Sequence, residues 1–572
     1  MTRHPNLWLR AGAMIFGAGL TVALAACVAH TDKTSGNPSN ELVVAIDQSA
    51  PPAPPPPPAL APAPDIAMVA NMAAPMAVLR SPAQMPSYWQ PANTSKFPDA
   101  KPNAVIVAAE QPVSTFSIDV DTASYGVVRD ALNAGALPPA DAVRIEEMVN
   151  YFDYAYPLPQ DRKTPFRASV RVYPTPWNRD TQILHIGIKG FDIPKKERPA
   201  ANLVFLIDSS GSMNEPNKLP LLKRAFHLLV DQLGAKDRIA IVTYAGQVGV
   251  VLEPTPGTDK AKILAALDRL EAGGSTAGGE GIRVAYRLAE ANFMKGAVNR
   301  VLLATDGDFN VGITDPKALE DFVTRERASG VYLTCLGFGD DNYQDATMQK
   351  LAQAGNGNAA FIDTLNEAHK VFVDQIAGTL FTIANDVKIQ VEFNPARVAE
   401  YRLIGYETRM LNRTDFNNDK VDAGDIGSGA TVTALYEITL VGSKAAMADP
   451  LRYAKPAKGD SNGELAFLKI RYKLPGETTS KLIERPIGNA DMAKDFASVS
   501  PDMRFAASVV GAAQLMRHDP YIRDFDYDRA KAIAQGARGD DAFGYRAEFI
   551  RMLDLAKSAA SQQALNTGKP EE

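Results

Sequence analysis

Apolar runs alternate with amphipathic segments through the middle of the chain. Four short runs consist almost entirely of apolar residues: Leu203–Ile207, Arg238–Tyr244, Val301–Thr305 and Val331–Gly337. Strands with two buried faces have this composition, whereas half-exposed strands alternate apolar and polar residues. The segment after the first run repeats apolar residues at spacings of four, three and four: Leu222, Phe226, Leu229 and Leu233. This spacing is that of one helix face. Because buried strands alternate with such helices, residues 201–382 are predicted to form a doubly wound, mostly parallel α/β sheet.

The pattern changes before this region. Residues 113–200 contain two helical segments, Tyr125–Ala134 and Ala142–Phe152, followed by two predicted strands, Phe166–Tyr173 and Ile183–Lys189. We predict an α+β region here.

Alternating runs return after the central sheet. Val387–Phe393, Val432–Leu440 and Leu465–Tyr472 predict a β-rich region over residues 383–480. Residues 481–572 are predicted to be helical. Because β segments lie on both sides of the central sheet, we expect Phe166–Lys189 to pair with the later strands, which would make the central domain an insertion in a β-sandwich.

Length and composition narrow the class of protein. The 572 residues correspond to three or four domains at about 150 residues each. The 60 basic and 66 acidic residues give a net charge of −6, which leaves no basic excess for a nucleic-acid backbone. Two cysteines and six histidines supply neither a disulfide framework nor a Cys/His zinc cluster. Any metal in this protein is therefore expected to have oxygen ligands.

The N-terminus has the pattern of an export signal. Arg3 and Arg10 precede an uncharged run that ends in small residues at Ala26, so residues 1–26 are predicted to be a signal peptide. An N-terminal membrane anchor is the alternative, because the apolar run approaches the length of a membrane span.

The sequence Leu24-Ala25-Ala26-Cys27 resembles the bacterial lipobox. The resemblance implies cleavage before Cys27 and lipidation of Cys27, and several acyl chains would anchor the protein stably. The residue after Cys27 is Val28 and not aspartate. By resemblance to lipoprotein sorting in bacteria with two membranes, this implies that the protein is sorted to the outer membrane.

Residues 27–112 are predicted to form a stalk. Nine of the fourteen residues from Pro51 to Pro64 are proline, which excludes a helix or a central strand. Polyproline II geometry at about 3.1 Å per residue would make this segment a semi-rigid spacer of roughly 40 Å. Docking of a proline-recognising domain is the alternative function.

Polar clusters follow three points where the central strands or loops end. They are Asp208-Ser209-Ser210-Gly211-Ser212, Gly273-Gly274-Ser275-Thr276 and Asp306-Gly307-Asp308. Ligands of open α/β sheets bind at the carboxyl ends of the strands, and hydroxyl and carboxylate oxygens suit hard divalent cations. The combination resembles the metal-ion-dependent adhesion site of the von Willebrand factor type A (VWA) domain, a Rossmann-like fold.

The resemblance implies the metal ligands and their roles. Ser210, Ser212 and Thr276 would bind the metal directly, and Asp208 and Asp306 would act largely through water. An acidic side chain of a protein partner would complete the coordination. Mg²⁺ is the expected ion, with Mn²⁺ and Ca²⁺ as alternatives.

The flanking regions extend the resemblance. Ser117–Tyr156 and Phe505–Leu555 resemble the N- and C-terminal regions of a family of bacterial lipoproteins that carry a VWA domain. This implies a fold and a metal site but names no partner.

Three further features have structural interpretations. Asp119 and Asp121 end a predicted strand and superficially match a phosphate-accepting aspartate motif, but Ala123 breaks the match, which favours Asx turns. The acidic loop Asp415–Asp425 begins like a calcium loop, but Lys420 replaces the required glycine, so a turn-rich loop is favoured over a second cation site. Cys335 lies in an apolar run and is predicted to be buried rather than reactive.

The leading hypothesis is therefore a lipid-anchored VWA protein of the bacterial cell envelope that binds a protein partner through Mg²⁺. The alternative is a structural or scaffolding lipoprotein whose metal only stabilises the domain. A metal-assisted hydrolase is disfavoured, because P-loop, zinc-protease and serine-hydrolase motifs are missing from the sequence. The partner, the membrane face and the oligomeric state stay open.

Overall fold

The computed structural model describes residues 95–98, 101–274, 278–307, 316–339, 344–449 and 463–567. The elements before the central sheet are, in chain order, β1 (Ile106–Val107), β2 (Val113–Ser117), α1 (Ala123–Asn133), α2 (Ile145–Asn150), β3 (Phe166–Thr175) and β4 (Asn178–Gly190). Both predicted helices and both predicted strands of this region are present. The predicted stalk, residues 27–112, includes the short strand β1. The sequence pattern does not predict β1, because two residues are too few to give a periodic pattern.

The central domain contains the predicted doubly wound sheet. Its strands are β5 (Ala201–Asp208), β6 (Arg238–Tyr244), β7 (Val248–Pro256), β8 (Val298–Thr305), β9 (Tyr332–Phe338) and β10 (Ala359–Ile362). The spatial order is β10-β9-β8-β5-β6-β7, and every pair is parallel except β6 with β7. The order reverses at β5, so the carboxyl ends of β5 and β8 form the position where ligands bind in such sheets.

Helices cover both faces of the central sheet. They are α3 (Leu219–Gln232), α4 (Lys260–Asp268), α5 (Gly278–Ala291), α6 (Pro316–Arg327), α7 (Asp345–Ala354), α8 (Leu365–His369) and α9 (Ile376–Leu380), with a π-helical turn, Lys370–Asp374, between the last two. The predicted apolar face of α3 is buried against the sheet through Leu222, Phe226 and Leu229. This confirms the predicted α/β class.

The chain then returns to β structure and ends in helices. The strands are β11 (Thr382–Phe393), β12 (Val398–Ile404), β13 (Ile426–Gly427), β14 (Thr431–Leu440), β15 (Glu464–Lys473) and β16 (Lys481–Gly488), and the helices are α10 (Pro501–Met516), α11 (Tyr527–Gly536) and α12 (Tyr545–Thr567).

Strand β16 corrects the prediction that residues from 481 onward are helical. Its exposed and half-exposed residues give no apolar run, and it contains Pro486. Proline is tolerated in a strand at a sheet edge, and β16 pairs with β15 alone. The C-terminal α-helices therefore begin at Pro501, where Ser500 caps α10 by accepting the backbone N–H of Met503.

Strands from both sides of the central domain form the two sheets of a sandwich. One sheet has the order β1-β12-β14-β4-β3, and the other contains β13, β11, β15 and β16 with β2 paired to β11. Lys189 of β4 pairs with Thr431 of β14, and Ser117 of β2 pairs with Lys388 of β11. The central domain is therefore inserted between β4 and β11 of the sandwich, as its flanking β segments predicted.

The inserted domain contacts the flanking region along its edge strand. Helix α1 lies against β10 so closely that a Cβ on Gly126 would be 2.8 Å from the carbonyl oxygen of Phe361. An edge strand with unpaired backbone groups invites pairing with other chains. Here α1 covers the edge.

Buried ion pairs accompany this contact. The Arg129 guanidinium on α1 binds Asp363 and lies 2.8 Å from a Glu367 oxygen and 2.9 Å from a Glu548 oxygen. Arg144 binds Asp345 of the inserted domain. These two arginines join the inserted domain, the N-terminal helices and the C-terminal helix α12.

Candidate metal centre

The first part of the site forms where β5 leaves the sheet. Every residue of β5 is buried, and Asp208 is its last residue. The Asp208 Oδ1 atom accepts the backbone N–H of Ser210 at 2.9 Å, which closes a local turn. The turn brings the Ser210 and Ser212 hydroxyl oxygens to 3.1 Å from each other, so the sequence Asp-x-Ser-x-Ser gathers its oxygens at one point.

The second part comes from the neighbouring strand β8. Ile207 of β5 pairs with Ala304 of β8, so the two strands end side by side. The Thr305 hydroxyl donates to Asp208 Oδ2 at 3.1 Å and accepts the backbone N–H of Gly307 at 3.2 Å. This links Asp208 to the turn that carries Asp306. Both carboxylates are fully buried.

A glycine loop closes against the first turn. The backbone N–H of Gly211 donates to the Gly274 carbonyl at 3.1 Å, and Gly273 donates to the Ser209 carbonyl at 2.8 Å. Gly274 has φ +82°, and a Cβ there would lie 3.0 Å from the backbone nitrogen of Gly246, so glycine is required. Thr276 follows two residues later and lies outside the described residues, so its role as a ligand stays a prediction.

Lys218 contributes a charge that the sequence analysis missed. Its Nζ atom lies 3.4 Å from Asp306 Oδ2 and 3.6 Å from Glu215 Oε2, and its side chain is 2% exposed. A lysine just before a helix is normally a solvated residue, and Asp306 is distant in sequence, so nothing in the local pattern predicts the contact. The ammonium offsets part of the negative charge at the site.

Burial dominates the electrostatics of Asp208. Burial, together with the charge of Asp306, raises the pKa of the Asp208 carboxyl to about 6, against the hydrogen bonds from Ser210 and Thr305. Two buried carboxylates that converge are costly when both are ionised. A divalent cation would remove that cost.

The described donors fit a hard divalent metal. The carboxylates of Asp208 and Asp306 and the hydroxyls of Ser210 and Ser212 are oxygen ligands of the kind that Mg²⁺ and Mn²⁺ prefer. Two of these four groups are anionic and two are neutral hydroxyls. This donor set is consistent with a bound divalent ion.

Of the other predicted sites, Cys27 lies outside the described residues, so its lipidation stays a prediction. Cys335 is buried in β9, and burial raises the pKa of its thiol far above the usual value. This confirms the prediction that Cys335 is buried.

The acidic loop directs its carboxylates to protein donors. Asp415 accepts the backbone N–H of Asn412, Asp419 accepts Arg471, and Arg327 lies 2.7 Å from Asp422. These contacts support a turn-rich loop held by neighbouring basic residues.

Asp119 and Asp121 form an Asx turn, as predicted: the Asp121 N–H donates to Asp119 Oδ1 at 3.0 Å. Together with Glu147 they form a cluster of three buried carboxylates. The Arg409 guanidinium binds both aspartates at 2.9 Å, and Arg144 binds Glu147. Arginine thus supplies the counter-charge that a metal would supply.

No helix in the described ranges has both the length and the apolar character needed to cross a bilayer.

Family models match most of the described chain. A model described as von Willebrand factor type A domain matches residues 202–375, and one described as von Willebrand factor matches residues 91–185. A model described as "Uncharacterized protein YfbK, C-terminal" matches residues 378–559. The inserted domain is therefore a VWA domain.

Individual proteins match over different lengths. The Escherichia coli (strain K12) protein named "Uncharacterized protein YfbK" is 48% identical over 472 residues, which cover 81% of this chain and 81% of that protein. Human inter-alpha-trypsin inhibitor heavy chain H4 is 30% identical over 195 residues, 32% of this chain and 20% of that protein. A solved structure, von Willebrand factor type A from Catenulispora acidiphila, is 18% identical, covers 72% of this chain and 91% of that chain, and has a TM-score of 0.39.

Proposed function

This chain belongs to the family of Escherichia coli YfbK, and from that premise we propose that it binds a protein partner through a divalent metal held by its VWA domain. The observation that carries the proposal is the convergence of Asp208, Ser210, Ser212 and Asp306 at the carboxyl ends of β5 and β8. Thr276 is proposed as the fifth ligand. Mg²⁺ is the proposed ion, with Mn²⁺ and Ca²⁺ as alternatives.

The chemistry of the proposed site is binding. A hard cation held by hydroxyl and carboxylate ligands would be the electrophile that a carboxylate of the partner binds. The chain's own residues orient the site: Thr305 fixes Asp208 from β8, and Lys218 lies beside Asp306. We assign the protein no catalytic role.

Partner capture tests this proposal. We expect photocrosslinking of the intact protein in its own membrane to capture a partner in Mg²⁺ and to lose it in excess chelator. Thr276→Val keeps the volume and β-branching of the side chain but removes one oxygen, so it should weaken metal and partner binding together. Thr258→Val, on a loop of the same domain away from the proposed ligands, is the matched control.

The outcome separates the two functions. If the partner stays bound in chelator and to Thr276→Val, the metal only stabilises the domain and the protein is a structural lipoprotein. Loss of capture in both conditions supports metal-dependent binding.

We further propose that the protein is anchored to the outer membrane through lipidated Cys27, on the basis of Leu24-Ala25-Ala26-Cys27. Mass spectrometry of the mature protein should find Cys27 as an acylated N-terminal residue. A mature chain that retains residues 1–26 without acylation would exclude the anchor.

A further inference from the structure

A cavity of about 680 Å³ lies beside the last helical stretch of the VWA domain, where this stretch meets the sandwich and the C-terminal helices. The volume is in the range of small-molecule binding sites. The proposed metal ligands do not line this cavity. It is therefore a separate place on the molecule at which a ligand could bind.

Lys370 is the residue that distinguishes this cavity. It is 3% exposed, and its Nζ atom lies 4.4 Å from the ring centroid of Tyr151 and 4.2 Å from that of Tyr545. Across the part of the chain that the structure describes, the ammonium forms no hydrogen bond and no ion pair. Buried lysines are normally paired. The two aromatic faces stabilise the cation but leave it without a counter-anion in contact.

The charge state of Lys370 suits anion binding. Burial lowers its pKa to about 8, and the nearby carboxylates of Glu367, Asp153 and Asp374 oppose that shift. The side chain is therefore still mostly protonated at neutral pH. An anion in contact with it would compensate the cost of burying the charge.

The backbone around Lys370 is unusual. Lys370 begins the π-helical turn and Asp374 ends it, and both side chains line the cavity. Single π turns are rare and frequently occur at functional sites. Asp374 accepts the Tyr545 hydroxyl at 2.6 Å, which holds the Tyr545 ring beside the ammonium.

Two of the other three basic side chains that line the cavity are paired with carboxylates, and the third, Arg198, donates to the Ile193 carbonyl. Lys189 lies 2.7 Å from Asp153, and Arg546 lies 2.7 Å from Asp502. The lining carries five carboxylates, on Asp153, Asp192, Asp374, Asp540 and Asp541, and four basic side chains, on Lys189, Arg198, Lys370 and Arg546. The excess of one carboxylate opposes anions and opposes a dianion more strongly, so the ligand should carry a single negative charge in direct contact with Lys370.

Large apolar side chains complete the lining. Phe543 is 54% exposed and Leu158 is 52% exposed, and both line the cavity. Covering them would remove apolar surface from water, which favours binding by about 25 cal/mol per Å². The ligand should therefore carry an apolar group as well as one negative charge.

We propose that this cavity binds a small organic monocarboxylate, with its carboxylate on the Lys370 ammonium and its apolar body against Phe543 and Leu158. The site is independent of the metal centre. Its occupancy does not depend on the proposed protein partner.

Calorimetry on the full chain tests the site with 4-phenylbutyrate, hexanoate and the neutral amides of both acids. We expect at least one acid to bind the wild type at least tenfold more tightly than its amide. Lys370→Met should lower the affinity for that acid at least tenfold. Lys189→Met, which removes a lining lysine that is already paired, should change affinity by less than threefold. Binding should be unchanged in excess chelator, which keeps this result separate from the metal proposal.

Three results would overturn the proposal: neither acid binds the wild type, the amides bind as tightly as the acids, or Lys370→Met binds the acid like the wild type. Circular dichroism should establish that each variant is folded. If Lys370→Met does not fold, the comparison of acid with amide on the wild type still decides the question.

Discussion

Asp208 and Asp306 bring two buried carboxylates to one point at the rim of the central sheet. Asp208 accepts the Ser210 backbone N–H and the Thr305 hydroxyl, and the Lys218 ammonium lies beside Asp306. The backbone around Asp208 is fixed by β5 and by the turn that follows it. The site is therefore formed by the fold itself, at the rim where β5 and β8 end.

Asp208→Ala is expected to abolish Mg²⁺ binding while the protein stays folded. The substitution removes one carboxylate of the proposed site. Relief of the repulsion with Asp306 opposes the loss of the hydrogen bonds from Ser210 and Thr305, so the melting temperature in chelator should change little. Calorimetric titration with Mg²⁺ measures the loss. The control is Asp268→Ala, which removes an exposed carboxylate of the same domain. Equal Mg²⁺ affinity in Asp208→Ala and the wild type would contradict the assigned site.

Glu146 supplies a prediction about pH. It is buried, its Oε2 atom accepts the backbone N–H of Tyr406 at 2.9 Å, and burial together with the charge of Glu407 raises its pKa to about 8. The folded state therefore holds this proton to higher pH than the unfolded state, and Glu146 lowers the free energy of unfolding as pH rises from about 4.5 to 8.

Glu146→Gln should remove this dependence. Glutamine can still accept from Tyr406 but cannot ionise, so the variant should gain stability relative to the wild type at pH 8 and little at pH 4.5. Urea unfolding at both pH values measures the difference. An equal difference between the two proteins at both pH values would show that Glu146 does not titrate in this range.

At the scale of elements, burial decides which strands the sequence reveals. Strands β5 and β8 are buried on both faces, and their apolar runs predict them directly. Strand β10 has four residues and β16 lies at an edge, and neither gives a periodic signal. Sequence patterning also predicts the turn of Asp208, Ser210 and Ser212, because those residues are close in the chain. It misses Lys218, whose contact with Asp306 depends on tertiary packing.

The contact between α1 and β10 gives a prediction at this scale. Gly126→Ala should lower the free energy of unfolding by about 1–3 kcal/mol, because the added methyl overlaps the Phe361 carbonyl. Gly536→Ala is the matched control in helix α11, where a Cβ meets nothing within 4 Å. It should instead be neutral or stabilise by up to about 1 kcal/mol. Urea unfolding of both variants decides the matter, and equal effects would contradict close packing of α1 on β10.

Across the whole molecule, buried arginines hold the inserted domain to its surroundings. The single side chain of Arg129 contacts Asp363 and Glu367 of the VWA domain and also Glu548 of α12. Removing a buried cation leaves its partners uncompensated, which costs far more than the intact pairs contribute.

Arg129→Met is accordingly expected to destabilise the protein by about 3–5 kcal/mol. Mg²⁺ binding by the folded fraction should persist, because among the described residues Arg129 contacts none of the proposed ligands. Arg162→Met, which breaks an exposed pair with Glu197, should change stability by less than about 1 kcal/mol. Chemical denaturation measures both variants. Similar midpoints for Arg129→Met and the wild type would mean that the buried network does not hold the domains together.

The insertion of the VWA domain between β4 and β11 determines the order in which the molecule can fold. Lys189 of β4 cannot pair until Thr431 of β14 is available. Ser117 of β2 cannot pair until Lys388 of β11 is available. The VWA sheet is complete at Ile362 and can close first, whereas the sandwich depends on contacts of long sequence separation, which form slowly. Until the later strands emerge, β2 and β4 are exposed edges, and this interval is when the newly made chain is most exposed to misassembly with other chains.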